Sequence, residues 1–488
     1  MFTLTKEQID IVETALDPDI PLIKISAAAG AAKSSTLYEI AKAMPTTSNN
    51  LLLCYNKAIE VEASIKFRGV ATCKTTSAYA FAESVTKGTS MPGIKTGKRI
   101  LNPNYNWRDV LGLTYTQYDE KLIVLDAMSK FFASEYLSMA EFFDANPNLL
   151  YTPLIQTVVK KNVKAMAGKT LACSFGFSLK YYHILLARGV IKPPVYQLLM
   201  IDEFQDSQPV VLEIFKLLPA HTKVAVGDNF QNISGSFLHT TNAFADIEEH
   251  GVTKQLTKSF RCSTEIAKKI EKFGKENLSP DFKFEGITYE TEEDKSVGFL
   301  SKTNTALISK MVQLNNQEVI YKNIRDPRLI FKLVLALIYL KPDSVIHDSS
   351  LKYLVENAKE YYGNSSLQQR HTSLYSYLLY EHPKDKVLKG TISLISKLGG
   401  KNIKETYNQA LAYYKDKKLK TNMYLATAYS SKGLSFGTAE ISDDLNKAVL
   451  DVLATPKEDR TFEHREILMV AYVAASRARY HLINCKFL

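Results

Sequence analysis

Apolar positions follow two rhythms along this chain, and their alternation sets out its elements. Short runs that are apolar or strand-like occupy residues 23–27, 51–55, 70–77, 197–201, 223–228, 297–304, 424–427 and 481–488. Each reads as a strand, and most lead into a polar loop. Between them apolar residues recur at helical spacing. Over 4–16, Ile9, Val12 and Leu16 share one face and Thr5 is placed to cap the helix. Further helices are predicted through Tyr38, Ile40 and Ala41, after Asn56-Lys57-Ala58, and through Ala78–Phe81 by number 78–81. Strands alternating with helices predict a parallel α/β sheet.

Two stretches break the alternation. Residues 86–165 begin with a Gly/Pro/Thr-rich segment carrying Lys87, Lys95, Lys98 and Arg99. Helices follow over 118–130, 139–146 and 154–166, the last bearing Lys160, Lys161 and Lys164. This reads as an inserted helical subdomain with a basic surface, although a solvated helix face explains such lysines equally well. Residues 327–415 are again mostly helical, with Leu329, Leu333, Leu337 and Leu340 expected on the core face. They read as a second insertion, ending in the basic and aromatic stretch 413–420, which suits either a nucleic-acid contact or an exposed linker. The resulting division is 1–85 with 166–288 as a first α/β domain, 86–165 inserted in it, 289–326 with 416–488 as a second, and 327–415 inserted there.

Composition narrows the class. The 488 residues are 45% hydrophobic and 23% charged, with a net charge of +10, enough apolar material for several cores. The positive balance fits an anionic partner such as nucleic acid, but it is spread out and equally describes a plain basic surface. Cys54, Cys73, Cys173, Cys262 and Cys485 show neither zinc spacing nor a disulfide framework, which predicts a reducing setting. The most apolar run, 329–340, contains Lys332 and is too short to cross a bilayer; a buried helix is expected. With no signal pattern at the start, the expectation is a cytoplasmic protein, or a nuclear one in a eukaryote, neither secreted nor bound to a membrane.

The candidate chemistry lies where strands give way to polar loops. In 23–37 a strand enters the small-residue loop Ala27-Ala28-Ala29-Gly30-Ala31-Ala32, followed by Lys33, Ser34 and Ser35. The phosphate-loop pattern asks for glycine where Ala27 and Ala32 stand. An alanine forced to positive φ costs roughly 1–2 kcal/mol, so a working ATP site of reduced affinity is expected, with Ala28 and Ala32 the sharper departures. The run 197–201 ends in Asp202-Glu203, where one acid can hold Mg²⁺ through water and the next can orient and deprotonate an attacking water. The run 223–228 repeats the device and leads to Gln231, which can contact a γ-phosphate or the water.

The order and spacing of these motifs resemble the UvrD/PcrA/Rep group of superfamily 1 DNA helicases. Tyr55-Asn56-Lys57-Ala58, Cys73-Lys74-Thr75 and Phe177-Ser178-Leu179-Lys180 resemble in detail the F-box-helicase-like branch and its viral relatives. The resemblance implies two RecA-like domains with ATP between them and a helical insertion in each. It implies that Gln8 reads the adenine edge and that Phe260 stacks on it. Ala29, Gly30, Ala31, Ala32, Lys33, Ser34 and Ser35 would cradle the phosphates, with Ser34 and Asp202 on Mg²⁺. Glu203 would act on the water and Gln231 would sense the γ-phosphate. Arg261 and Arg477 would be paired arginine fingers, with Gly433 in a nucleotide-binding loop. Single-stranded DNA would cross the loops holding Tyr55, Asn56, Lys57, Thr75, Phe237, Thr303, Asn304 and Ser430, with 3′ to 5′ movement and unwinding at duplex junctions. Replication, repair and recombination are the settings the resemblance suggests; protein partners are not indicated.

Departures from the family pattern are Ser77 for His, Ala78 for Ser, Ser236 for a stacking aromatic, Tyr429 for His and Ser435 for Glu. Three readings follow: an ATP-driven motor on single-stranded DNA, an ATP-binding switch or loading protein with weak turnover, and a basic scaffold with a vestigial site. The last is disfavoured because Lys33, Asp202, Glu203, Gln231, Arg261 and Arg477 are all retained.

Overall fold

A computed structural model describes residues 3–45, 49–86, 112–113, 118–168, 171, 174–233, 247, 251–346 and 351–488. It divides into two units, Met1–Lys258 and Ser259–Leu488. The α/β reading holds in both.

In the first unit, β1 (Leu22–Ala27), β2 (Asn50–Cys54), β3 (Thr72–Thr75), β4 (Tyr196–Ile201), β5 (Ala220–Gly227) and β6 (Val252–Leu256) form one sheet. The order is β3-β2-β4-β5-β1-β6 and every pair is parallel. Alternate residues feed two cores. Ile23, Ile25, Leu52, Met200, Val224 and Val226 pack on one face with Leu37 and Ile40. Leu51, Leu53, Leu199, Ile201 and Ala225 pack on the other with Phe204 and Phe215. Burial on both faces is why these strands read as nearly continuous apolar runs. Ser26 lies opposite Gly227 and Ile201 opposite Ala225. The carboxyl ends of β1, β4 and β5 therefore finish level at one edge of the sheet, the edge where open α/β sheets hold ligands. The expected strand 70–77 is shorter: β3 ends at Thr75 and the helix Thr76–Thr86 begins at once.

The inserted helices Tyr118–Ala133, Met139–Ala145 and Pro153–Ala167 close on an aromatic core of Phe131, Phe132, Phe142, Phe143 and Tyr151. Lys87, Lys95, Lys98 and Arg99 lie outside the described residues.

In the second unit, β7 (Lys258–Ser263) pairs with β8 (Glu285–Ile287). Next come β9 (Val297–Ser301), β10 (Lys322–Asn323), β11 (Met423–Thr427), β12 (Phe436–Ile441) and β13 (Ala478–Ile483). These five make a parallel sheet in the order β10-β11-β9-β12-β13.

Three expectations need correction. The unit boundary falls at Lys258/Ser259 rather than at 288/289. Aromatic packing decides it: Phe282 and Phe284 meet the Tyr472 ring edge-on at 5.4 and 6.0 Å, so 259–288 belong with the second unit. The run 329–340 is two helices, Pro327–Ile330 and Lys332–Ile338, broken at Phe331. Leu337 and Leu340 are buried as expected, together with Ile330, Phe331 and Val334, while Leu329 is 48% exposed. The final strand is β13, ending at Ile483; Asn484 turns the chain with φ 50°, and 481–488 is not one strand.

Among the described residues no helix is long and apolar enough to cross a membrane.

Candidate nucleotide site and adjoining cleft

The loop after β1 is fastened before it turns. The Ala28 N–H donates to the Leu256 carbonyl of β6 at 2.8 Å, and the Ala31 N–H to the Ala28 carbonyl at 3.1 Å. Ala29 and Ala31 are buried, so their methyls pack inward. Gly30 has φ 77° and Ala32 has φ 58°, the left-handed region. Ala32 then caps the helix Lys33–Ala43, accepting from the Ser35 and Thr36 N–H groups at 3.0 Å each. Strain therefore falls on Ala32 and not on Ala27 or Ala28, neither of which has positive φ.

Because the folded loop itself holds Ala32 left-handed, its cost appears first as stability. Relief of roughly 1–2 kcal/mol is offset by the extra chain entropy of glycine, about 0.5–1 kcal/mol. Ala32→Gly is expected to raise stability by up to about 1.5 kcal/mol, measured as the midpoint of denaturant unfolding. A lower midpoint would refute the strain.

The loop brings Lys33 and Ser34 to the end of β4. The Lys33 ammonium donates to Glu203 Oε2 at 2.8 Å, and the Ser34 hydroxyl to Asp202 Oδ2 at 3.3 Å. Glu203 itself has φ 51°. Its N–H donates to Asp202 Oδ1 at 2.8 Å, which fixes the adjacent acids in different directions. Such a bend at a strand end is a place where strain and function meet.

A second layer of polar groups supports these acids. The Gln205 carboxamide donates to Glu203 Oε2 at 2.7 Å and to Asp206 Oδ2 at 3.3 Å. Its oxygen accepts the Asp228 N–H at 2.9 Å. Gln231 Nε2 donates to Asp228 Oδ2 at 2.7 Å. Lys33, Asp202, Glu203 and Gln231 thus share one continuous polar network. Gln205 and Asp228 are the links that sequence reasoning did not assign, although both follow apolar strands directly and the strand ends are level.

Burial is the largest influence on Lys33 and works against its charge. The carboxylates of Glu203, Asp202 and Asp228 together outweigh it and hold the ammonium above its ordinary pKa. Burial first, and then the Glu203 charge, push the Asp202 carboxyl above its ordinary range; Lys33, the Glu203 N–H and Ser34 oppose this. Ser34 and Asp202 are hard oxygen donors of the kind Mg²⁺ takes when it keeps most of its waters, so the pair fits that ion.

Gln8 is buried in this arrangement. Its Oε1 accepts the Thr5 N–H at 3.0 Å in a capping box, and its Nε2 donates to Thr36 Oγ1 at 3.0 Å. It ties the first helix to the helix after the loop, and reading an adenine edge would require it to exchange these bonds. Ser35 Oγ receives the Lys66 ammonium at 2.9 Å.

In the second unit, Arg261 donates to the Ser476 carbonyl at 3.2 Å, which places it beside Arg477. Arg477 is 1% exposed. Its guanidinium donates to the Val473 and Leu434 carbonyls at 2.8 and 3.3 Å and to Ser476 Oγ at 2.9 Å. The two predicted fingers are neighbours, and Cys262 between them has its thiol pushed up to about 11 by burial, against both guanidinium charges. Phe260 is half-buried on β7, and Gly433 sits with φ 85° in the turn after β11.

Tyr55, Asn56 and Thr75 line a cleft of about 330 Å³ over the ends of β2, β3 and β4, whose wall also includes Ser77, Asp202, Asp206 and Gln208. Asn56 caps the helix Lys57–Lys66, and Lys57 pairs with Glu60 at 2.7 Å. In the second unit Thr303 caps the helix Asn304–Asn316 and donates to Asp444 Oδ2 at 2.7 Å. The Ser430 hydroxyl bonds with the Thr427 side chain at 3.0 Å. Phe237 lies outside the described residues.

Residues 193–236, which carry β4, the acids after it, β5 and Gln231, match the UvrD/REP helicase N-terminal domain. The match is confined to these 44 residues, and within them it agrees with a UvrD-like helicase family. No curated protein matches the chain.

Proposed function

We propose that this protein is an ATP-driven motor that moves along single-stranded DNA, 3′ to 5′, and unwinds duplex ahead of it. The observation that carries the reading is the meeting of Lys33 and Ser34 with Glu203 and Asp202 at level strand ends. The polarity rests on the resemblance to the UvrD/PcrA/Rep group, and a place in the F-box-helicase-like or viral branch on that of residues 55–58, 73–75 and 177–180.

In this reading the Lys33 ammonium leaves Glu203 for the β- and γ-phosphates of ATP. Ser34 and Asp202 would hold Mg²⁺, which would supply positive charge against those phosphates. Glu203, released from the ion pair, accepts the proton of the attacking water. Gln231 reports on the γ-phosphate through Asp228. Arg261 and Arg477 are assigned to the charge that builds up in the transition state. The Tyr55, Asn56 and Thr75 cleft takes the strand, through stacking and backbone contacts that ask little of sequence.

The test is steady-state ATP turnover with and without oligo(dT), followed by unwinding of duplexes bearing a 3′ or a 5′ tail. The expected result is turnover that rises severalfold with the strand, and unwinding from the 3′ tail. Tight ATP binding with no turnover in either condition would instead identify a switch.

A further inference from the structure

Building on the ATPase reading above, we infer that Gln205 is a positioning residue that couples the strand cleft to the carboxylate of Glu203. It is 2% exposed, and both N–H donors and one lone pair of its carboxamide oxygen meet protein groups of opposite role. The amide nitrogen faces two carboxylates, Glu203 Oε2 at 2.7 Å and Asp206 Oδ2 at 3.3 Å. The amide oxygen faces the Asp228 N–H at 2.9 Å. Flipping the carboxamide would set oxygen against two carboxylates and N–H against N–H, so its orientation is determined.

The arrangement has a direction. Glu203 and Asp206 are like charges held near one another by one NH₂ group. Glu203 belongs to the nucleotide site. Asp206 lines the cleft with Tyr55, Asn56 and Thr75. A phosphodiester or base edge arriving in that cleft changes the field and the hydrogen bonding at Asp206. The shared NH₂ passes that change to Glu203, because a stronger bond to one carboxylate weakens the bond to the other. Lys33 and Gln205 both donate to the same oxygen of Glu203. Once Lys33 turns to phosphate, Gln205 still holds Glu203 in place, and its hold depends on Asp206. Through Asp228 the same carboxamide also reaches Gln231, so the γ-phosphate and the strand act on one group.

The experiment compares the full chain with Gln205→Met, Gln205→Glu and Asp206→Asn. It measures kcat and KM for ATP with and without oligo(dT), and binding of a fluorescent ATP analogue. For Gln205→Met the ratio of stimulated to unstimulated turnover is expected to fall about tenfold or more, as loss of a hydrogen bond to a charged group implies. KM for ATP and analogue binding are expected to stay within about twofold, which a folding defect would not allow. Asp206→Asn is expected to lower the same ratio while leaving analogue binding intact. Gln205→Glu removes the donor and sets a third carboxylate beside two others, so it is expected to lower the ratio at least as far as Gln205→Met. Wild-type stimulation in Gln205→Met or in Gln205→Glu would overturn the relay while the motor reading stands. Absence of turnover in the wild type would remove both.

Discussion

Glu203→Gln is expected to lower ATP turnover by about 10²–10⁴-fold, the usual worth of a positioned proton acceptor, while ATP binding persists. At 1.36 kcal/mol per decade this is roughly 3–5 kcal/mol in the barrier. The substitution keeps the shape and keeps an oxygen able to accept from Lys33 and Gln205, which now meet at Glu203 Oε2. What it removes is the negative charge and the basicity. The Lys33 ammonium loses its leading attractive partner, so its pKa falls from the raised value it holds beside Glu203. The lysine is also freed from a competitor for phosphate, so affinity for ATP is expected to hold or tighten. Rapid-quench measurement of the chemical step, alongside equilibrium binding of ATP, separates the two effects. Turnover within a few-fold of wild type would show that another group receives the proton, and the assignment of Glu203 would fall.

The parallel-sheet core of this chain was readable because both faces of its strands are buried. Leu51 to Leu53 and Leu198 to Ile201 are apolar without interruption, and a strand of that kind announces itself. The cap at Thr5 was readable from local chemistry and is present. Motif spacing also put Lys33 and Ser34 together with Asp202 and Glu203 across some 170 residues, and the level strand ends achieve it. Other features depend on packing that no local pattern expresses. The helix ends at Ile330 and resumes at Lys332, and Leu329 stands 48% exposed at the edge of the face that buries Ile330, Val334, Leu337 and Leu340, which its residue type alone does not express. The assignment of 259–288 to the second unit turns on Phe282 and Phe284 meeting Tyr472, nearly two hundred residues away. Gln8 and Arg477 show the same limit at the site. The family resemblance implied groups turned toward a ligand; here Gln8 spans two helix starts and Arg477 is bonded to carbonyls of its own unit.

Lys33→Met is expected to remove turnover to below measurable levels and also to destabilise the protein in a pH-dependent way. The side chain is one of the most constrained cations of the first unit: 13% exposed, it pairs with Glu203 at 2.8 Å and feels Asp202 and Asp228 as well. Methionine matches its length and fills the space, so the packing loss is small. The electrostatic loss is not, because Glu203, Asp202 and Asp228 all lose the Lys33 charge that acts on them. Removing one partner of a buried pair costs about 3–5 kcal/mol; the remaining exposure of Glu203, 21% at the side chain, puts this case at or below the lower end. The sign of the pH dependence follows from where each charge is lost. In the wild type the raised Lys33 pKa contributes stability that is complete below the ordinary lysine value of 10.5 and disappears as pH rises through the folded value. In the variant, the carboxyls lose their counter-charge and their folded pKa values rise. The variant's deficit is therefore largest at neutral pH and narrows as pH falls into the raised carboxyl range, where protonation relieves the repulsion. Thermal midpoints of wild type and variant, measured between pH 5 and pH 8 as a working window of about that width, should converge toward the acid end. A constant gap across that range would mean that Lys33 stabilises the fold by packing alone, and that the acids around it do not need its charge.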